Sequence, residues 1–199
     1  MLTAGLMGGP TPLQAADRLG AALGLPAGGL WVKRDDLTPL AGGGNKVRKL
    51  DYLCGDALAR GADLLLTGGG PQSNHVRLTA AAARRLDLDC LVVLAGDPPA
   101  RASGNLGIDA LLGPTVAWAG AGGLATVEQV LADTAASVRR QGRRVYAIPV
   151  GGADAVGSQG YLTAAAELTD ACPELALWWS PPLPAAPTRA WPRVWARTR

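Results

Sequence analysis

Apolar positions along this chain follow two rhythms. From 46 to 61, KVRKLDYLCGDALARG puts Val47, Leu50, Cys54, Ala57 and Leu58 at helical spacing, and Gly61 marks a stop. The run DLLLT at 63–67 has strand length and leads into GGGPQSN. The spacing then predicts a helix over 75–86, a buried strand over 90–96, a short helix over 105–113 and a short strand over 115–119. A helix over 124–142 ends at Gly142, a strand covers 144–149, and a glycine turn opens a helix within 151–171. Upstream, LWVKRDDL at 30–37 reads as a short strand running into a loop. This alternation predicts an α/β fold with parallel sheets covered by helices. Ligands in such folds bind beyond the carboxyl ends of the strands. Three glycine-containing turns qualify, at 42–46, 68–75 and 151–160.

Both rhythms stop at Leu177. Four of the six tryptophans and five of the fifteen prolines lie beyond it, and Pro181, Pro182, Pro184 and Pro187 forbid a regular helix or central strand. Arg189, Arg193, Arg197 and Arg199 crowd the last eleven residues with no acid among them. Removing those four from the 19 basic residues leaves fewer bases than the 16 acids, so the net charge of +3 belongs to the tail. The basic balance is therefore no sign of a nucleic-acid partner. No apolar run is long enough to span a membrane, and the first twenty residues lack a secretory pattern. Cys54, Cys90 and Cys172 are odd in number and far apart, which argues against a disulfide framework or a zinc cluster and for a reducing cytoplasm.

The stretch GGGNKVRKL, 42–50, sets a lysine at a helix start after three glycines. Neither a P-loop nor a dinucleotide fingerprint fits it. Lys46 is either a solvated first-turn lysine or a desolvated amine that forms an imine with a carbonyl cofactor. In TGGGPQSNHVR, 67–77, Ser73 and Asn74 suit a helix cap. They also suit a cradle for a carboxylate or a ring oxygen at a helix N-terminus. His75 is the only histidine, and nothing near it in sequence has metal-ligand spacing. A serine-hydrolase elbow is missing.

Together RDDLTPLAGGGNKVRKLDYL, GGGPQSNHVR and IPVGGADAVGSQGY resemble one family: the D-cysteine desulfhydrase and 1-aminocyclopropane-1-carboxylate (ACC) deaminase family. Its members are pyridoxal 5′-phosphate enzymes of the tryptophan synthase β-like fold. The likeness covers about residues 10–175. It implies that Lys46 holds the cofactor and shuttles the α-proton. It implies that Asn74 hydrogen-bonds the ring hydroxyl and that Ser73 acts as nucleophile or carboxylate contact. His75 stands where ACC deaminases carry Gln, which favours the desulfhydrase branch. Gln72 and Gly152 would line the same pocket. The implied reaction converts D-cysteine to pyruvate, hydrogen sulfide and ammonia; the alternative opens ACC to 2-oxobutanoate and ammonia. A small amino acid is then the substrate, the intact family member a homodimer, and neither metal, membrane nor nucleic acid takes part. Alternatives from other classes are a non-catalytic α/β binding module, and an interaction protein using the tryptophan-rich tail.

The expected organisation is a partial cofactor domain from 1–49 and 146–176, a small α/β domain over 50–145, and an aberrant tail over 177–199. The resemblance implies a further strand, a Gly/Ser/Thr phosphate loop and a partner for the pyridine nitrogen, where this chain reads WWSPPLPAAPTRAW. Regrouping that tail's codons one base earlier allows V-V-A-T-S-S-G-G-T-H-A-G-L, a strand followed by such a loop. A frameshift between about Glu174 and Trp178 is therefore expected, against a genuine Pro/Arg-rich disordered tail.

Overall fold

A computed structural model of the protein describes residues 2–174. The expected tail from 177 therefore lies outside the described residues. Two short strands, β1 (Leu13–Ala15) and β2 (Trp31–Lys33), pair antiparallel around helix α1 (Asp17–Ala22). Then come α2 (Lys46–Ala59), β3 (Leu64–Gly69), α3 (Asn74–Arg85), β4 (Asp89–Leu94), α4 (Gly104–Leu112), β5 (Thr115–Trp118), α5 (Gly123–Arg140), β6 (Val145–Ala147) and α6 (Ala155–Ala171). The elements read from periodicity between 46 and 171 are all present. The β1 strand and α1 carry no pattern that announced them. Leu13–Ala15 is too short, with no flanking apolar run, to show a period.

Strands β3 to β6 form one parallel sheet in the order β5-β4-β3-β6. Both of its faces are covered, which is why β3 and β4 are apolar at successive positions. Leu65 faces α2 and α3, while Leu66 packs against Val127 and Ala135 of α5. On β4, Val92 and Leu94 meet Val76 and Leu106, and Val93 joins the opposite face. The division expected between residues 145 and 146 falls inside β6.

An ionic cluster ties α2 to α6 and to the N-terminal segment. Arg48 is buried and donates from Nε and Nη2 to the two Asp35 carboxylate oxygens, both at 2.8 Å. Its Nη1 and Nη2 reach Glu167 at 2.9 and 2.8 Å, and Nη2 also donates to Thr11 Oγ1. Lys33 adds a second cation on Glu167 at 2.6 Å. Arg48 and Lys33 together hold the Glu167 carboxyl down to about 2, against the pull of burial. The bidentate forks satisfy a guanidinium that would otherwise be costly to bury.

Candidate active site

The sheet changes direction at β3. The chain leaves it through α3 to β4 on one side, while β6 pairs on the other. In an open parallel sheet this switch point opens a crevice at the carboxyl ends of the strands. The turns at 70–75 and 148–152 meet there, and α2 brings Lys46 to them.

The glycine turn before Lys46 is a tight knot. Gly43 N donates to Leu40 O, and Gly44 N donates to Thr38 Oγ1, both at 2.8 Å. Gly43 has φ +74°, and a Cβ there would collide with Asp36 O. Only glycine fits. Lys46 then opens α2. Its Nζ donates to Gly151 O at 3.3 Å, and burial lowers its pKa. The amine is thus biased towards the neutral, nucleophilic form that imine chemistry needs. Lys49, one helical turn on, donates from Nζ to the same carbonyl at 3.2 Å and is only 3% exposed. Burial and the neighbouring Lys46 charge push Lys49 down to about 8, with Asp154 pulling the other way. The Tyr161 ring lies 5.7 Å from its ammonium.

His75 points into the protein rather than out of the crevice. It is 2% exposed, and a Cβ on Gly152 would lie 3.3 Å from its Cε1. Its Nε2 lies 3.0 Å from Thr67 Oγ1, and that hydroxyl donates to Ile148 O at 3.1 Å. Because the hydroxyl proton is committed, Nε2–H is the donor to Thr67 and Nδ1 carries a lone pair. Nδ1 is buried and has no partner among the described residues. Burial, with the charges of Lys46 and Lys49 behind it, pushes the ring down to about 3. His75 is therefore neutral at physiological pH.

Ser73 caps α3, accepting from Val76 N at 3.3 Å, as its residue type predicts. Asn74 is the first helical residue and is exposed. Its Oδ1 accepts from Asn105 Nδ2 at 2.9 Å and from Arg77 Nη2 at 3.3 Å. Gln72 is also exposed, and both ends of its amide are engaged by the start of α4. Its Nε2 donates to Ser103 O, and its Oε1 accepts from Asn105 N, each at 3.0 Å. The structure thus gathers Lys46, His75 and Gly152 around Gly151, and holds Ser73, Asn74 and Gln72 along the start of α3.

Sequence reasoning missed Lys49, Thr67, Arg77 and Asn105. Lys49 was within reach, since residues three apart share a helix face. The others take their meaning from partners far along the chain. The donor set fits pyridoxal phosphate at its reactive end: a desolvated amine at Lys46, a second cation at Lys49, and the Asn74 amide at a helix N-terminus.

A parallel sheet buried on both faces, with a desolvated lysine at its switch point, defines an α/β fold with a ligand crevice. The chain belongs to the pyridoxal-phosphate dependent enzyme family, whose profile matches residues 5–179. It is 44% identical over 172 residues to a D-cysteine desulfhydrase of Klebsiella pneumoniae subsp. pneumoniae, covering 84% of this chain and 51% of that protein. A D-cysteine desulfhydrase of Salmonella paratyphi B is 42% identical over 175 residues, with 85% and 52% covered. Among solved structures, an ACC deaminase homologue superposes with a TM-score of 0.79 at 37% identity, over 85% of this chain and 50% of that one. A threonine deaminase of T.th. gives 0.60 at 25% identity, over 84% and 48%. The chain thus spans about half the length of the relatives it matches. No helix among the described residues is long and apolar enough to cross a membrane.

Proposed function

We propose that the chain carries the reactive-lysine half of a pyridoxal-phosphate dependent deaminating lyase acting on D-cysteine, releasing pyruvate, hydrogen sulfide and ammonia. The observation that carries this reading is Lys46: a half-buried amine of lowered pKa, at the sheet's switch point, beside a second lysine on one carbonyl. Identity of 42–44% to D-cysteine desulfhydrases supports the substrate.

Bound pyridoxal phosphate would supply the electron sink for charge developing at the substrate α-carbon. Lys46 Nζ would hold the cofactor's aldehyde carbon and, when released, accept the α-proton as general base. Burial lowers the Lys46 pKa and so favours the neutral amine that accepts a proton. Asn74 would donate from Nδ2 to the ring oxygen. Ser73 would contact the substrate carboxylate at the start of α3, where free backbone N–H groups favour an anion. Gln72 would line the site, and the buried, neutral His75 would stand behind it rather than face the substrate. Residues 1–49 and 146–176 would belong to a cofactor domain and 50–145 to a smaller one. A homodimer and a cytoplasmic location belong to the same reading, the latter supported by three free cysteines.

ACC deamination is the second reading, favoured by the superposition on an ACC deaminase homologue. A non-catalytic module is the third. The test incubates the chain with pyridoxal phosphate, reduces with borohydride and maps the labelled peptide. Label on Lys46 is expected; its absence removes both enzyme readings for this chain. Sulfide from D-cysteine against 2-oxobutanoate from ACC then separates the two substrates.

A further inference from the structure

Asn74 sits in a frame of donors whose sense is fixed from outside. Asn105 Nδ2 donates to the backbone oxygen of Gln72 at 2.8 Å. A carbonyl oxygen can only accept, so this contact sets which end of the Asn105 amide is nitrogen. The same Nδ2 donates to Asn74 at 2.9 Å. Arg77 Nη2, a group with no acceptor capacity, donates to the same Asn74 oxygen at 3.3 Å. Two obligate donors therefore face Asn74 Oδ1, and Nδ2 is left as the free end of its amide among the described residues. Arg77 also grips the glycine turn ahead of Lys46. Its Nη1 donates to Ala41 O at 2.6 Å and its Nη2 to Gly43 O at 2.9 Å.

We propose that Asn105 and Arg77 are positioning residues that lock the Asn74 amide with Nδ2 outward, so that it presents a donor to the cofactor's ring hydroxyl. The inference rests on the cofactor reading above. Asn105 comes from α4 and Arg77 from α3. The lock therefore forms only when α4 is docked, and Arg77 joins it to the turn that carries Lys46. Without the lock the amide can turn over and offer an acceptor, which cannot serve a ring oxygen whose own proton is lost or engaged elsewhere.

The test uses the full chain and borohydride trapping at Lys46 across concentrations of two probes. One is pyridoxal 5′-phosphate, the other its 3-deoxy analogue, which lacks the ring hydroxyl. The unsubstituted chain is expected to prefer the hydroxylated probe by a few-fold to about tenfold, the range of one hydrogen bond. Asn105→Asp offers Asn74 an acceptor and turns its Nδ2 inward, so the preference should vanish. Asn105→Ala removes one donor without adding charge, should lower the preference partly, and carries the test where the charge prevents folding. A merely structural role would weaken labelling by both probes alike and leave their ratio unchanged; that result in both variants overturns the inference. No label at Lys46 in the unsubstituted chain overturns the cofactor reading and this inference with it.

Discussion

Lys46 and Lys49 donate to one oxygen, the carbonyl of Gly151, at 3.3 and 3.2 Å. Two ammonium groups on one acceptor repel, and burial removes the water that would screen them. Burial first, and the Lys46 charge after it, take Lys49 from 10.5 to about 8. Replacing Lys46→Met removes the like charge, and Lys49 should then titrate above 8 while burial keeps it below 10.5. An NMR titration of the lysine Cε or Nζ resonances reads this directly; an unmoved Lys49 would show that the two charges do not interact.

The same pair sets an alkaline stability window. Between about 8 and 10.5 the unfolded chain holds a proton on Lys49 that the folded chain has released. Stability from this group therefore rises with pH across that window, and its cost is full below about 8. Lys49→Met should flatten the rise, as measured by urea midpoints at successive pH values.

His75 makes the opposite edge. Its folded ring titrates at about 3 against 6.5 unfolded, so the unfolded state alone takes up a proton between those values. Stability should fall as pH drops from 6.5 towards 3. His75→Gln keeps a donor for Thr67 and should lessen that slope, followed by circular dichroism during acid titration. The bound on the other side is His75→Ala, which takes away the donor to Thr67 Oγ1, leaves a cavity and should cost about 2–4 kcal/mol at neutral pH.

Arg48 holds α2 against α6. Arg48→Met leaves Asp35 and Glu167 without their shared guanidinium, and the loss should be about 3–5 kcal/mol in denaturant midpoints. Adding Asp35→Asn to that variant should recover part of it, since among the described residues Asp35 keeps only the Thr11 hydroxyl whereas Glu167 retains Lys33. In the unsubstituted chain Glu167 contributes stability above 4.5 that is lost as pH falls towards about 2.

Gly43→Ala tests the turn that delivers Lys46. The φ of +74° alone should cost about 1–2 kcal/mol, and the new Cβ would collide with Asp36 O. The turn must open, so cofactor labelling at Lys46 should drop together with thermal stability. Labelling that survives a large drop in stability would separate Lys46 from its turn.

Much of this was legible in the residues themselves. Helices and strands between 46 and 171 announce themselves by period, because each buries a face against neighbours a few positions away. Ser73 as a cap and Lys46 at a helix start are local facts of the same kind. The strand within 30–37 was legible, but β1 and its antiparallel pairing with β2 were not. Neither was the placement of His75, which follows from Thr67 on β3 and Ile148 after β6, 81 positions apart. Lys46 meets Gly151 across 105 positions, Arg48 meets Glu167 across 119, and Asn105 meets Asn74 across 31. The contacts to Gly151, Glu167 and Ile148 exist because β6 pairs with β3 rather than β5, while Asn105 reaches Asn74 because β4 pairs with β3. Strand order is a global minimum over competing pairings, and no local stretch of sequence carries it. The residue types that could do the chemistry were therefore written along the chain, while their convergence on one carbonyl was decided by the sheet.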